Sequence, residues 1–85
     1  MNKILIADDN LQQLEILKTA AKKEGYEAVL AEDGQMALEM YHMHDPQMVL
    51  LDVMMPKMDG FQVCREIRKE SLVSIIMITA RGGGV

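Results

Sequence analysis

The chain has almost none of the devices that small proteins use to hold a cross-link, a metal cluster or a lipid bilayer. Its single cysteine, Cys64, can form no internal disulfide, and no second cysteine or histidine stands at metal-ligand spacing from it. A disulfide-stapled scaffold is excluded, and a reducing cytoplasmic setting is the simplest expectation. Basic residues are few and scattered: nine Lys and Arg against 13 Asp and Glu leave a formal net charge of -4. A binder of a phosphate backbone wants a clustered positive face, and this chain offers none, so nucleic acid is not an expected partner. No apolar stretch approaches the roughly 18 residues of a membrane-spanning helix, and neither secretion nor membrane insertion is expected.

What remains, 49% hydrophobic and 26% charged over 85 residues, describes one globular unit. A domain of this size buries only roughly 60 to 65% of the surface of its unfolded chain, so its stability margin is thin. The hydrophobic pattern divides it. "KILIA", Lys3 to Ala7, is a continuous apolar run of the kind covered on both faces of a sheet. From Asn10, a candidate N-cap with Gln13 three residues on, Leu11, Leu14, Leu17 and Ala21 fall on one helical stripe that stops at Gly25. "YEAVLAE", 26–32, predicts a second strand, and Met36, Ala37, Met40 and Tyr41 a second helix closed by Pro46. "MVLLD", Met48 to Asp52, predicts a third strand, Phe61, Cys64, Ile67 and Arg68 a third helix, and "SIIMITA", 74–80, a fourth strand. The two histidines, His42 and His44, fall at a solvated helix end, and Cys64 on an apolar stripe.

Strands alternating with helices predict right-handed crossovers and a doubly wound parallel sheet of the α/β class. In such sheets ligands gather beyond the carboxyl ends of the strands. The first strand ends at Asp8 and Asp9, the third at Asp52 and the fourth at Thr79, so these polar residues are candidates for one pocket. Clustered carboxylates repel, and a cation among them relieves this. Mg²⁺ takes oxygen ligands, keeps waters and shares its remaining positions with a phosphate. An acid pair, a third carboxylate as nucleophile and a hydroxyl for the product oxygen suit phosphoryl transfer. Taken singly, the acids also suit the start of a helix and Thr79 a strand.

The residues carry a resemblance. "ILIADDN", "VLLDVMMPKMDG" and "IIMITA" resemble the first, third and fourth strand motifs of response-regulator receiver domains of two-component signalling, in register over residues 3–81. The run of motifs looks most like receivers coupled to a winged-helix DNA-binding domain. The resemblance implies a flavodoxin-like sheet, phosphorylation of Asp52 by a histidine kinase, and Mg²⁺ held by Asp9 with Asp8 assisting, Asp52, and the backbone carbonyl of Met54. Thr79 would contact the phosphoryl oxygen and move toward it, while Pro56 and Gly60 would shape the loop. A phosphatase of the haloacid dehalogenase type is excluded because Met54 stands where its second aspartate is needed. "ADDNLQ" lacks the glycines of a dinucleotide-binding turn.

The departure comes after the fourth strand, where the family continues and "RGGGV" follows here. The expectation is a truncated receiver over residues 1–81, sheet order 2-1-3-4, without the fifth strand and its lysine or the last two helices. Residues 82–85 are expected as a flexible Gly-rich tail, linker or scar. An edge strand with almost no charge recruits another strand, so self-association through strand four and an uncovered apolar face is expected. The alternative is an assembly module or folding fragment that does not signal. A receiver acts only on its own phosphorylation, so no turnover enzyme is expected.

Overall fold

Each apolar run becomes a strand of five residues, and each stripe between them a helix. The computed structural model describes residues 2–78. In chain order the elements are β1 (Lys3–Ala7), α1 (Leu11–Lys23), β2 (Glu27–Ala31), α2 (Gly34–His44), β3 (Met48–Asp52), α3 (Gly60–Arg68) and β4 (Ser74–Ile78). The first and third strands keep their expected bounds, and the second is a residue shorter at each end. Thr79 and Ala80, expected in the fourth strand, lie outside the described residues.

All pairings are parallel, and the sheet order is β2-β1-β3-β4, as the resemblance implies. The order reverses beside β1, so the carboxyl ends of β1 and β3 diverge into helices from adjacent strands. That crevice is where an open α/β sheet accepts a ligand.

Strand alternation sorts the core into two faces. Leu5, Ala7, Val29, Ala31, Val49 and Leu51 point toward α2 and α3, where Ala37, Tyr41, Val63 and Ile67 complete a fully buried cluster with Met55. On the other face Ile4 and Ile6 form a smaller cluster with Leu14 and Ala21 of α1, with Leu17, Leu30, Met48 and Leu50 half-buried around them. β4 shares the alternation: Ile75 and Met77 pack into the first cluster, whereas Ile76 is 46% exposed.

Two expected stripes shift. Leu11, in the first turn of α1, is 60% exposed, and the helix seats through Leu14 and Ala21 instead. The buried side of α3 is Gly60, Val63 and Ile67, so Phe61 faces solvent and Cys64 lies half-buried at the flank. Arg68 serves the connection to β4: its guanidinium Nη1 donates to the Ser71 and Val73 carbonyls at 3.2 and 2.7 Å. Of the two histidines expected at a solvated helix end, His42 is exposed, with Nε2 3.0 Å from Glu70 Oε1, while His44 is half-buried.

Candidate functional site

Every helix begins at the carboxyl edge of the sheet, and each begins with a side-chain cap. Asn10 Oδ1 accepts from the Gln13 amide at 3.0 Å, Asp33 Oδ1 from Met36 at 2.7 Å, and Asp59 Oδ1 from Gln62 at 2.9 Å. These bonds satisfy amides that would otherwise lack partners and fix the direction in which the chain leaves each strand. The reciprocal capping box forms at Asp59, where Gln62 Oε1 accepts from the Asp59 amide at 3.0 Å. At Asn10 the cap's own N–H is taken by the site: it donates to Asp8 Oδ1 at 2.9 Å. One short segment therefore starts a helix and orients a carboxylate.

Asp8 is 4% exposed, and its amide continues the β1–β2 ladder by donating to the Ala31 carbonyl at 3.1 Å. Asp52, the last residue of β3, is equally buried, and its Oδ1 accepts from the Met54 amide at 3.3 Å. Asp9 is exposed at the mouth. One carboxylate oxygen from each of Asp8, Asp9 and Asp52 lies within 4.8 Å of the other two. The structure thus brings together the three acids that the strand tips predicted. Beside them opens a cleft of about 420 Å³ lined by Asp9, Met54, Met55, Pro56 and Asp59. Thr79, the remaining expected site residue, lies outside the described residues; Ile78 before it is the register partner of Asp52.

Glycine makes the loop after β3 possible. The Gly60 amide donates to the Val53 carbonyl at 2.9 Å, closing the loop back on its start. A Cβ on Gly60 would stand 2.5 Å from the Asp52 carbonyl oxygen and 3.0 Å from Val53 Cα, so only glycine permits this approach. Asp59 lies off the strand tips, and its mark in the sequence is Asp-x-x-Gln before an apolar stripe, the sign of a capped helix.

The donor set suits a hard divalent cation. Mg²⁺ with bonds of about 2.1 Å sets neighbouring ligand oxygens about 3 Å apart and opposite ones about 4 Å apart. Three carboxylate oxygens within 4.8 Å of one another lie close to that spacing.

A family model described as response regulator receiver domain matches residues 4–83. Among curated proteins, the probable transcriptional regulator ycf27 of Galdieria sulphuraria is 55% identical over 80 residues, covering 94% of this chain and 31% of that protein. That of Cyanophora paradoxa is 51% identical, with coverages of 94% and 34%. The chain therefore spans about a third of the length of these relatives. Among solved structures, the response regulator TrrA of Thermotoga maritima, in complex with Mg²⁺-BeF, superposes with a TM-score of 0.88 at 37% identity, over 99% of this chain and 77% of that one. The N-terminal domain of a receiver protein from Methanoculleus marisnigri JR1 gives 0.87 at 30%, over 95% and 68%. A sheet wound in this order is the fold that superposes on these solved structures, and the chain belongs to the response regulator receiver domain family of two-component signalling.

Proposed function

We propose that Asp52 is the phosphoacceptor of this receiver and that a histidine kinase is its donor. The observation that carries the reading is the placement of a buried carboxylate at the tip of β3, with oxygens of Asp8 and Asp9 within 4.8 Å. An Asp52 carboxylate oxygen attacks the phosphorus of a phosphohistidine. The new P–O bond forms as the P–N bond breaks, and its electron pair returns to the imidazole nitrogen. Asp8, Asp9, Asp52 and the backbone carbonyl of Met54 are the groups that would hold Mg²⁺. Bound there, the cation supplies positive charge against the phosphoryl oxygens. The Met54 amide steadies Asp52 Oδ1, and the Asn10 amide steadies Asp8. Thr79 receives a phosphoryl oxygen through its hydroxyl. The chain promotes its own modification and turns over no separate substrate.

The relatives described as probable transcriptional regulators extend this proposal: phosphorylation at Asp52 controls transcription through a DNA-binding segment outside this chain. No helix among the described residues is long and apolar enough to cross a membrane, and the partners proposed here work in the cytoplasm.

Incubation with Mg²⁺ and acetyl phosphate tests the reading by intact mass. The expected outcome is one phosphoryl group on the wild-type chain and none on Asp52→Asn or in excess chelator. Uptake that survives Asp52→Asn would remove Asp52 from its role.

A second reading, association through β4, rests on a separate observation. β4 is an edge of the sheet without a charged residue, Ile76 is 46% exposed, and Leu72 just before the strand is 92% exposed. The other edge, β2, carries Glu27, a charge that discourages pairing. Sedimentation at micromolar concentration is expected to give a dimer or larger assembly, and a folded monomer would end this reading.

A further inference from the structure

The loop between β3 and α3 touches an element that the phosphoacceptor reading does not use: the first turn of α2, reached through a different crossover. Gly34 opens that helix, and its amide donates to the Pro56 carbonyl at 3.5 Å. The same carbonyl accepts from the Met58 amide at 2.7 Å, across Lys57 at φ 68. Beside them Lys57 Nζ lies 3.6 Å from Asp33 Oδ2, the carboxylate that also caps α2. The far arm of the loop is therefore folded on itself and laid on the start of α2.

Glycine at the first position of a helix calls for a reason, since in a helix interior it is worse than alanine by about 1 kcal/mol. Backbone freedom is not the reason here, because Gly34 is helical and outside the left-handed region. Space is. A Cβ on Gly34 would overlap the Met58 carbonyl oxygen and stand 2.6 Å from both the carbonyl carbon and Cβ of Met58. Two of those atoms belong to the backbone, so no rotamer relieves the overlap and the loop itself must move.

We propose that Gly34 is a positioning residue for phosphoryl acceptance, acting through the loop and touching neither metal nor phosphate. Its missing side chain lets Pro56 to Met58 settle on α2. The other end of the same short loop is fixed where Gly60 meets the Asp52 and Val53 backbone. With both ends held, Val53 and Met54 have one place to lie, and the Met54 amide and carbonyl keep their station beside Asp52. The inference rests on the proposed role of Asp52 and its acids in holding Mg²⁺, and it adds a residue of α2 that the three strand-tip acids do not reveal.

The test is calorimetric titration of the 85-residue chain with Mg²⁺ alone, paired with amide hydrogen exchange. Gly34→Ala is expected to weaken Mg²⁺ binding at least fivefold in protein whose circular dichroism remains native. A merely structural role would lower the melting temperature and leave the affinity of the folded protein unchanged. In the wild-type chain, whatever the variant does, saturation with Mg²⁺ is expected to slow exchange of the Gly34 amide at least threefold, since coupling between two sites is reciprocal. Mg²⁺ affinity within twofold of wild type in folded Gly34→Ala would overturn the proposal. A Gly34 amide indifferent to Mg²⁺ would overturn it even if the variant fails to fold. A wild-type chain that binds no Mg²⁺ would instead end the phosphoacceptor reading and the inference with it.

Discussion

The two faces of the sheet are built to different standards. Toward α2 and α3, β1 and β3 present Leu5, Val49 and Leu51, none of which exposes measurable surface, and β4 adds Ile75 and Met77 to the same cluster. Toward α1 only Ile4 and Ile6 are fully covered, while Leu50 is half-buried and Ile76 stands 46% exposed. Among the described residues a single helix, packed on β1 and β2, covers one half of that face and leaves the β3–β4 half open. The covered face carries the loop that presents Asp52. The open face offers apolar surface to whatever packs there. The loop beside Asp52 packs on the covered face through Met55 and Met58, whereas the association proposed above would use the open one, so separate substitutions can perturb them.

The largest expected effect breaks the covered face. Leu51→Ala leaves a cavity in a close-packed cluster and costs about 3 to 5 kcal/mol, a large share of the stability of about 4 to 13 kcal/mol expected for a chain of this size. Its neighbour Leu50, half-buried on the open face, should cost only about 1 kcal/mol when replaced by alanine. Urea titration of the two variants measures the asymmetry directly, and equal losses would contradict it.

Gly60→Ala sharpens the comparison from the site side. The added methyl meets the Asp52 carbonyl oxygen at 2.5 Å and Met77 Cε at 2.9 Å, so a loss of about 1 to 3 kcal/mol is expected. Amide shifts should concentrate at residues 52–54, while those of α1 stay in place. Ile76→Lys probes the other side. A charge on the open face should weaken self-association at least tenfold by sedimentation and change the unfolding free energy by no more than about 0.5 kcal/mol. The smallest effect belongs to neither face. Asp45 ends α2 in the left-handed region at φ 47, where glycine is at ease. Asp45→Gly should therefore stabilise by about 0.5 kcal/mol, read as a small rise in melting temperature.

The asymmetry also explains what could be seen in the sequence. The runs of β1 and β3 are apolar without interruption because β1 is buried on both faces and β3 buries one face and half-buries the other, so their bounds are legible to the residue. Asp8, Asp9 and Asp52 follow from the same rule, since a parallel sheet sends its strand ends to one edge. The faces of the helices are less legible. In α3 the expected stripe through Phe61, Cys64 and Ile67 is nearly as apolar as the buried one through Gly60, Val63 and Ile67, and docking on the sheet decides between them. Gly34 was illegible for a different reason: its role is set by the Met58 carbonyl, 24 residues along the chain, and no local pattern announces so distant an approach. At Asn10 the partner is near in sequence: its amide goes to Asp8 Oδ1, two residues back, rather than to Gln13 in a capping box.

The central claim is that Asp52, and not its acidic neighbours, receives the phosphoryl group. Borohydride reduces an aspartyl phosphate to homoserine, so treatment after exposure to acetyl phosphate and Mg²⁺, followed by peptide mass mapping, locates the modified residue. Homoserine at position 52 and nowhere else is the predicted result. Homoserine at Asp8 or Asp9, or an unmodified Asp52 in protein that has taken up phosphate, would contradict it.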